Sequence, residues 1–317
     1  MVQADYKELL EAGVHFGHLK RKWDPHMSPY IFMEKNGIHI IDLNKSKRKL
    51  DEATAAPKQI AKSGKKILFV ATKKQAKSIV EEEAKKVNMP FVTERWLGGM
   101  LTNFATVRKS IKKMNNIDKL MADEATFENI AKKEKLILTR ERTKLEKLLG
   151  GFAQLNRLPA ALFIVDIKRE HIAVLEALKL NIPTFAMVDT NSDPRKVDFA
   201  IPSNDDAAKS ISYITGKVTD AIAEGLGERK QDKELLEKEL LDAKEKEEEE
   251  KIEVTEDSVE ATTDHEIEAK QEDVVAETQE KKEKKKADTK GSKKVKADST
   301  KKKSAKAKTT KKEKESV

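Results

Sequence analysis

The chain has 317 residues, a net charge of +8 and no cysteine, which excludes disulfide-stabilised folds and thiolate zinc sites. All aromatic residues lie before residue 231, and the remainder is too charged and too poor in apolar groups to form a core. We therefore predict one α/β domain over residues 1–226 and a charged, low-complexity, mostly disordered tail over residues 227–317. Within that tail, residues 232–251 are expected to continue the preceding helix through Glu/Lys pairs.

The charge is distributed unevenly along the sequence. Residues 1–230 contain 41 Lys and Arg against 30 Asp and Glu, residues 231–280 contain 6 against 21, and residues 281–317 contain 17 against 5. A basic body suggests a polyanionic partner, most simply nucleic acid, although lysine-rich surfaces also serve solubility alone. No segment approaches the roughly 20 apolar residues of a membrane helix, so we expect a cytoplasmic protein that binds no membrane.

Short apolar runs alternate with helical patterns along most of the domain. The predicted strands cover residues 38–43, 67–70, 91–93, 161–165, 184–188 and 199–201. The predicted helices cover residues 6–12, 44–60, 72–87, 171–180 and 205–226. This alternation predicts an α/β fold, with a parallel sheet and helices on both faces. Residues 14–30 are rich in histidine, cations, Pro and Gly, and we expect them to form an irregular loop that contacts a partner.

A long helical pattern interrupts the alternation between residues 102 and 150. It contains no proline and no glycine until its end, and its apolar residues recur at intervals of three and four. Asp and Asn near its midpoint are typical of a turn. We predict an inserted hairpin of two antiparallel helices.

Two basic segments contain the two tryptophans. The stretch RWLGGMLTNFATVR has Arg95 and Trp96 for phosphate binding and stacking, two glycines for close backbone approach, Thr102 to cap the next helix and Asn103 to donate outward. The segment from Lys20 through Arg21 to Trp23 has the same character. Such pairs suit RNA, although each tryptophan alone also fits a core residue beside surface lysines.

The turn after residue 70 reads ATKKQ and has no glycine to cradle a phosphate. No P-loop and no G-x-G-x-x-G opens any helix, so we expect neither a small-molecule substrate nor a cofactor, and no enzyme. Lys73 and Lys74 remain well placed for the phosphates of a larger partner. Two alternatives stay open: a nucleotide-dependent α/β enzyme, and a general nucleic-acid chaperone that acts through the Lys-rich tail.

A divalent cation site is a further alternative, since His15 and His18 precede later carboxylates at Asp189, Asp193, Asp205 and Asp206. We favour ordinary turn chemistry for these carboxylates, because they lie far from the histidines in sequence.

Several motifs together resemble the bacterial family of protein two of the small ribosomal subunit. They are GVHFGHLKRKWDPHMSPYIFMEKNGIHIIDLNKS, ATKKQA, RWLGGMLTNF, LPAALFIVDIKREHIAVLEALKLNIPTFAMVDTNSDP and IPSNDDAAKSI. The likeness spans residues 5 to about 226, in order, and leaves the tail outside.

The resemblance implies a Rossmann-like (flavodoxin-like) sheet with a coiled-coil hairpin in a structural, non-catalytic protein of the small subunit. Its implied partners are small-subunit (16S-type) rRNA and neighbouring proteins, including the large first protein, which it helps to dock. The implied metal residues, if a structural cation is bound, are His18, Asp189 and Asp205. The implied RNA-contacting residues are Lys20, Arg21, Trp23, Lys73, Lys74, Arg95, Trp96, Thr102, Asn103 and Arg108.

Overall fold

The computed structural model describes the backbone of residues 5–123 and 130–260, and the side chains of residues 5–123 and 130–238. Residues 1–238 form one compact unit, and residues 239–317 belong to a second. The centre of the predicted hairpin, residues 124–129, and the last part of the predicted tail, residues 261–317, lie outside the described residues.

The first strands form a small antiparallel sheet that the sequence pattern did not reveal. Its spatial order is β1-β3-β2, and the strands are β1 (Phe16–Leu19), β2 (Ile31–Lys35) and β3 (Ile38–Ile41). We predicted irregular structure for β1, which is only four residues long and contains a glycine, so alternation was not visible. The turn between β2 and β3 is Asn36-Gly37, and both residues have positive φ, as a type I′ hairpin requires.

Five parallel strands form the central sheet. They are β4 (Ile67–Val70), β5 (Phe91–Val92), β6 (Ala161–Val165), β7 (Thr184–Val188) and β8 (Phe199–Pro202). Their spatial order is β5-β4-β6-β7-β8, which is the 2-1-3-4-5 order of flavodoxin-like sheets. The predicted Rossmann-like α/β fold is confirmed.

The described residues contain seven α-helices. They are α1 (Tyr6–Glu11), α2 (Leu43–Lys62), α3 (Lys77–Lys86), α4 (Phe104–Ala122), α5 (Lys132–Leu149), α6 (His171–Lys179) and α7 (Ala208–Glu260). The last of these continues well beyond residue 226, the predicted end of the domain. Within the described ranges, no helix has both the length and the apolarity that a membrane span needs.

Apolar residues pack on both faces of the central sheet. In β4, Phe69 packs with Leu50 of α2 and Ile214 of α7, whereas Val70 packs on the opposite face with Val174 of α6. Every residue of β4 is fully buried, as the uninterrupted apolar run predicted. The sheet is therefore a rigid support, and the loops at its carboxyl edge are held by helices on both sides.

The interruption of the sheet consists of α4 and α5, and ion pairs join these two helices. Lys113 of α4 pairs with Glu141 of α5, and Arg142 Nε lies 2.6 Å from Asp118 Oδ1. Ile111 of α4 lies in the same core as Val174, so the base of the pair is anchored on the sheet.

Candidate functional site

A cluster of charged residues lies at the carboxyl edge of the central sheet. Its members, which we call the carboxyl-edge cluster, are Lys73 after β4, Asp166 after β6, Asp189 after β7, and Asp205 and Asp206 after β8. The Nζ atom of Lys73 is 2.6 Å from Asp206 Oδ1, 2.8 Å from Asp205 Oδ1 and 3.5 Å from Asp166 Oδ2. Because parallel strands end at one edge, residues more than 130 positions apart in sequence meet here.

The electrostatics of this cluster depend on its burial. Lys73 is only 9% exposed and Asp205 is fully buried. Burial by itself would lower the pKa of Lys73. The negative charge of Asp205 and the hydrogen bond that Lys73 donates to Asp205 have the larger effect, so the pKa of Lys73 is raised. Burial, with the charges of Asp189 and Asp166, raises the pKa of Asp205 to about 7. The ammonium of Lys73 is therefore the internal counter-ion of a dense group of carboxylates.

His18 of β1 joins the same edge. Its Nδ1 lies 2.8 Å from Asp189 Oδ2, and its backbone N–H donates to Thr190 Oγ1 at 2.8 Å. The neighbouring Gly17 is essential for this approach, since a Cβ there would lie 2.6 Å from the Thr190 methyl group. The hydrogen bond to Asp189 raises the pKa of His18.

These contacts bring the three predicted metal residues together. One ligand atom from each of His18, Asp189 and Asp205 lies within 4.8 Å of the others. Asp205 Oδ2 is buried and has no hydrogen-bond partner among the described residues. An imidazole and two carboxylates are a donor set that suits Zn²⁺, so the residues fit a divalent cation. The sequence distance that led us to favour turn chemistry does not separate them in space.

The edge is unsuited to a nucleotide phosphate. The backbone N–H of Thr72, where a phosphate would be held, donates to Glu170 Oε1 at 3.2 Å, and the Thr72 hydroxyl donates to the same carboxylate. The four aspartates of the cluster add negative charge at the same place. An anionic cofactor would meet carboxylates instead of free amides.

Hydrolytic chemistry has no support either. The His18–Asp189 pair has the geometry of an oriented base, but His18 Nε2 lies 3.3 Å from Asp206 Oδ2 and 3.2 Å from Asn191 Nδ2. Among the described residues, no hydroxyl group lies at His18 Nε2, so the nucleophile that a catalytic triad needs is missing.

The stretch from Trp96 to Thr102 wraps around one carboxylate, Glu176 of α6. Glu176 Oε1 accepts from Trp96 Nε1 at 3.1 Å and Gly99 N at 2.7 Å. Its Oε2 accepts from Leu101 N at 2.9 Å, and from the amide and hydroxyl of Thr102 at 3.0 and 3.2 Å. Gly99 has a φ of +88°, a region that favours glycine, and this turns its N–H toward the carboxylate.

Glu176 is ionised although it is only 7% exposed. Burial by itself raises the pKa of a carboxyl group, but the hydrogen bonds from the amides of Thr102, Gly99 and Leu101 lower the pKa of Glu176 below its ordinary value. Glu176 therefore holds the whole stretch against α6, and sequence reasoning missed it. The sequence did contain an indication that Glu176 is buried, because Glu176 lies between Ala173 and Ala177 on the buried side of an apolar helix.

The structure separates the ten predicted RNA-contacting residues into two groups. Lys73 is 9% exposed and Trp96 6%, so the protein largely encloses both side chains, and their contact with RNA stays a prediction. Thr102 has its hydroxyl turned to Glu176, and Asn103, not Thr102, is the residue that precedes α4. These placements give Lys73, Trp96 and Thr102 a role in building the edge.

The remaining predicted residues are at least partly exposed. Trp23 is 37% exposed, with its ring 5.2 Å from that of His39. Arg108 donates to the carbonyl of Asn156 at 2.6 Å, and Lys20 pairs with Glu34 at 2.7 Å. Among the predicted cations, the exposed ones with no such ion pair among the described residues are Arg21, Lys74 and Arg95, and Asn103 is exposed as well.

These cations belong to one side of the protein. Lys74 follows β4 and Arg95 follows β5, both at the carboxyl edge. The loop containing Arg21 is attached to the same edge, because Asp24 N donates to Thr190 O at 2.8 Å.

The fold and this edge define an α/β scaffold that presents basic loops. The family model described as "Ribosomal protein S2" matches residues 9–225. The chain therefore belongs to the ribosomal protein S2 family, whose members are structural components of the ribosome and not enzymes.

Several relatives carry the description "Small ribosomal subunit protein uS2". The one from Cytophaga hutchinsonii is 64% identical over 246 residues, which cover 78% of this chain and 94% of the relative. The one from Flavobacterium johnsoniae is 64% identical over 231 residues, 73% of this chain and 91% of the relative. The one from Porphyromonas gingivalis is 63% identical over 233 residues, 74% of this chain and 83% of the relative.

Proposed function

We propose that this chain is a structural constituent of the small ribosomal subunit in the cytoplasm and that it binds 16S-type rRNA through the basic loops at the carboxyl edge. Family membership supports the ribosomal part of this proposal. The observation that carries the RNA part is the shared position of Arg21, Lys74 and Arg95 at the carboxyl edge, where none of the three forms an ion pair among the described residues. Exposed cations that share one edge suit a sugar-phosphate framework.

The helices of the insertion extend the same proposal. Outside the ion pairs that join them, α4 and α5 carry further exposed cations, which include Lys109, Lys112, Lys119, Lys132, Lys133, Arg140 and Lys144. We place the insertion along the rRNA for this reason.

Docking of the large first protein is the second part of the proposal, and the small antiparallel sheet supports it. Phe16 and Met33 pair in register with Ile40, so these three side chains share one face. Phe16 is 50% exposed and Met33 48%, and Phe32 in the irregular part of β2 is 69% exposed. An apolar surface of this kind suits a protein neighbour better than RNA.

The RNA contacts are tested by removing two cations from the edge. The double variant Arg21→Ala/Arg95→Ala is expected to bind purified 16S-type rRNA more weakly, and to lower the slope of log affinity against log salt by about 1.5, since each phosphate contact contributes roughly 0.7–0.9. Filter binding across a salt series measures both quantities. The matched control is Lys65→Ala/Lys179→Ala, which removes two exposed cations outside the loops of the carboxyl edge and should leave the slope unchanged.

Sedimentation of cell extracts completes this test. The wild-type chain, and a chain truncated after residue 230, should both travel with small subunits, and subunits that lack the chain should also lack the large first protein. A truncated chain that no longer binds RNA would favour the chaperone alternative, in which the tail supplies the affinity.

We also infer that His18, Asp189 and Asp205 hold a divalent cation that neutralises part of the carboxyl-edge cluster. The unpartnered Oδ2 of Asp205 supports this inference. At a Zn²⁺ concentration about 100 times the dissociation constant, binding should stabilise the fold by about 2.7 kcal/mol.

Thermal unfolding of chelator-treated protein measures this stabilisation as a rise in Tm when Zn²⁺ is added. The variant His18→Ala should lose the rise, and His171→Ala, at an exposed histidine of α6, should keep it. An equal response in both variants would mean that Zn²⁺ binds elsewhere.

A further inference from the structure

Arg169, in the turn between β6 and α6, is an exposed cation at the carboxyl edge that is not among the predicted RNA-contacting residues. Its Nε atom donates to Thr72 Oγ1 at 2.9 Å. Within the described part of the chain, its Nη1 and Nη2 atoms have no hydrogen-bond partner, and its guanidinium forms no ion pair. One side of the guanidinium is therefore held by the protein, and its two terminal amino groups remain for a ligand.

The position of Arg169 is fixed at the backbone as well as at the guanidinium. Asp166 Oδ1 accepts from the backbone N–H groups of Lys168 and Arg169, each at 3.1 Å. Thr72, which accepts from the guanidinium, follows β4 and is only 8% exposed. Because the side chain is held at both ends, it loses less conformational entropy on binding a ligand than a free surface arginine does.

Glu170 sets the direction of the Thr72 hydroxyl. Glu170 is 3% exposed, and its Oε1 accepts from the hydroxyl of Thr72 and, at 3.2 Å, from the Thr72 amide. Since the hydroxyl proton points to Glu170, a lone pair of the hydroxyl oxygen is left to accept from Arg169 Nε. The contacts form one chain from the guanidinium through Thr72 to a buried carboxylate, and hydrogen bonds in such a chain strengthen one another.

The carboxylates near Arg169 are engaged by other groups. Glu170 accepts from Thr72, and Asp166 accepts from two amides while its Oδ2 lies 3.5 Å from Lys73 Nζ. The Thr72 amide, where a nucleotide phosphate would be held, is closed by Glu170. The guanidinium of Arg169 is exposed, so a phosphate of a larger partner can reach it from the solvent side.

We propose that Arg169 is a further rRNA contact, whose guanidinium binds a phosphodiester group, and that Thr72 and Glu170 are its positioning residues. A guanidinium suits this ligand because two parallel N–H groups match two oxygens of one phosphate. Lys74 lies two residues after Thr72, so both cations are placed to contact one stretch of the sugar-phosphate backbone. The inference rests on the proposed rRNA-binding function.

Filter binding of purified 16S-type rRNA across a salt series tests the contact. The variant Arg169→Ala is expected to bind about fivefold more weakly at about 0.1 M salt, and to lower the slope of log affinity against log salt by roughly 0.7–0.9, the contribution of one phosphate. The variant Arg169→Lys should keep the slope, because the charge remains. Its affinity should be intermediate, because an ammonium cannot form the paired contact.

The matched control is Arg229→Ala. Arg229 is an exposed arginine of α7 and forms no ion pair among the described residues. Its guanidinium lies beside Gly64, which precedes β4 and is therefore at the opposite edge of the sheet. Its removal should leave the affinity and the salt slope unchanged.

A double-mutant cycle tests the positioning role of Thr72. The variant Thr72→Val removes the hydroxyl that connects Arg169 to Glu170, so the guanidinium keeps its charge and loses its anchor. We expect about threefold weaker binding with an unchanged salt slope, and Thr72→Ser, which keeps a hydroxyl, should bind like wild type. In the Arg169→Ala background, Thr72→Val should weaken binding no further. Equal effects of Thr72→Val in both backgrounds would show a general effect on the fold and overturn the positioning role.

The outcomes separate this proposal from the one on which it rests. If the wild-type chain binds rRNA and sediments with small subunits, while Arg169→Ala matches it in affinity and slope, the proposal for Arg169 fails and the proposed function stands. If Arg169→Ala binds purified rRNA normally but is depleted from small subunits, the ligand of Arg169 is a carboxylate of a neighbouring protein, and the proposal is again overturned. A wild-type chain that does not bind rRNA would overturn both.

Discussion

Replacing Lys73 by methionine is expected to lower the free energy of unfolding by about 3–5 kcal/mol, because it removes one partner of a buried ion network. Methionine keeps the apolar stem but leaves Asp166, Asp205 and Asp206 without their shared counter-ion. For a domain of this size, that loss corresponds to a fall in Tm of roughly 10 °C. Thermal unfolding of the purified chain, with no RNA present, measures it.

The neighbouring lysine provides the control. Lys74 is exposed and forms no ion pair among the described residues, so Lys74→Met should leave Tm unchanged while weakening RNA binding. The two lysines are adjacent in sequence, yet Lys73 is buried in the carboxyl-edge cluster and Lys74 is exposed. A Lys73→Met variant that unfolds like wild type but loses RNA affinity would instead give Lys73 the direct contact that the sequence predicted.

The central sheet was predictable because its strands are buried on both faces. Runs such as Ile67–Val70 leave no polar residue to disturb the pattern, and the helices between them are long enough to be periodic. The small sheet was not predictable in the same way. Strand β1 has four residues, and its pairing with β3 is irregular, so only the long-range contact defines it. The Asn36-Gly37 turn was the one local signal for this hairpin.

The site was harder to predict than the fold, because its residues are distant in sequence. Asp166, Asp189 and Asp205 each follow a predicted strand, and a parallel sheet brings such positions to one edge. For Trp96, the neighbours in sequence suggested a contact that its burial does not support. Its neighbours are basic, which suits RNA, but burial against Glu176 reserves its indole N–H for the protein. Local composition alone therefore did not show which side chains of this segment are buried.

Replacing Glu176 by glutamine should be almost as damaging as the loss of Lys73. The amide retains one acceptor oxygen, but its NH₂ group must face either the donors of Trp96 and Gly99 or those of Leu101 and Thr102. Each buried donor left without an acceptor costs roughly 1–3 kcal/mol, so we expect a loss of about 2–4 kcal/mol in the free energy of unfolding. Urea unfolding measures it, and Glu11→Gln, an exposed carboxylate at the end of α1, should cause no loss.

The pH dependence of the stability lost in Glu176→Gln tests whether the ionised carboxylate is the cause of that loss. The folded pKa of Glu176 is lowered from an ordinary value of 4.5, so its stabilising effect is complete above that value and disappears as the pH falls through the lowered pKa. The difference in unfolding free energy between wild type and Glu176→Gln should therefore be constant above about pH 5 and shrink below pH 4.5. A difference that stays constant down to acid unfolding would mean that side-chain shape, and not charge, holds the loop. Because Arg95 lies next to Trp96, the variant should also reduce rRNA binding at neutral pH.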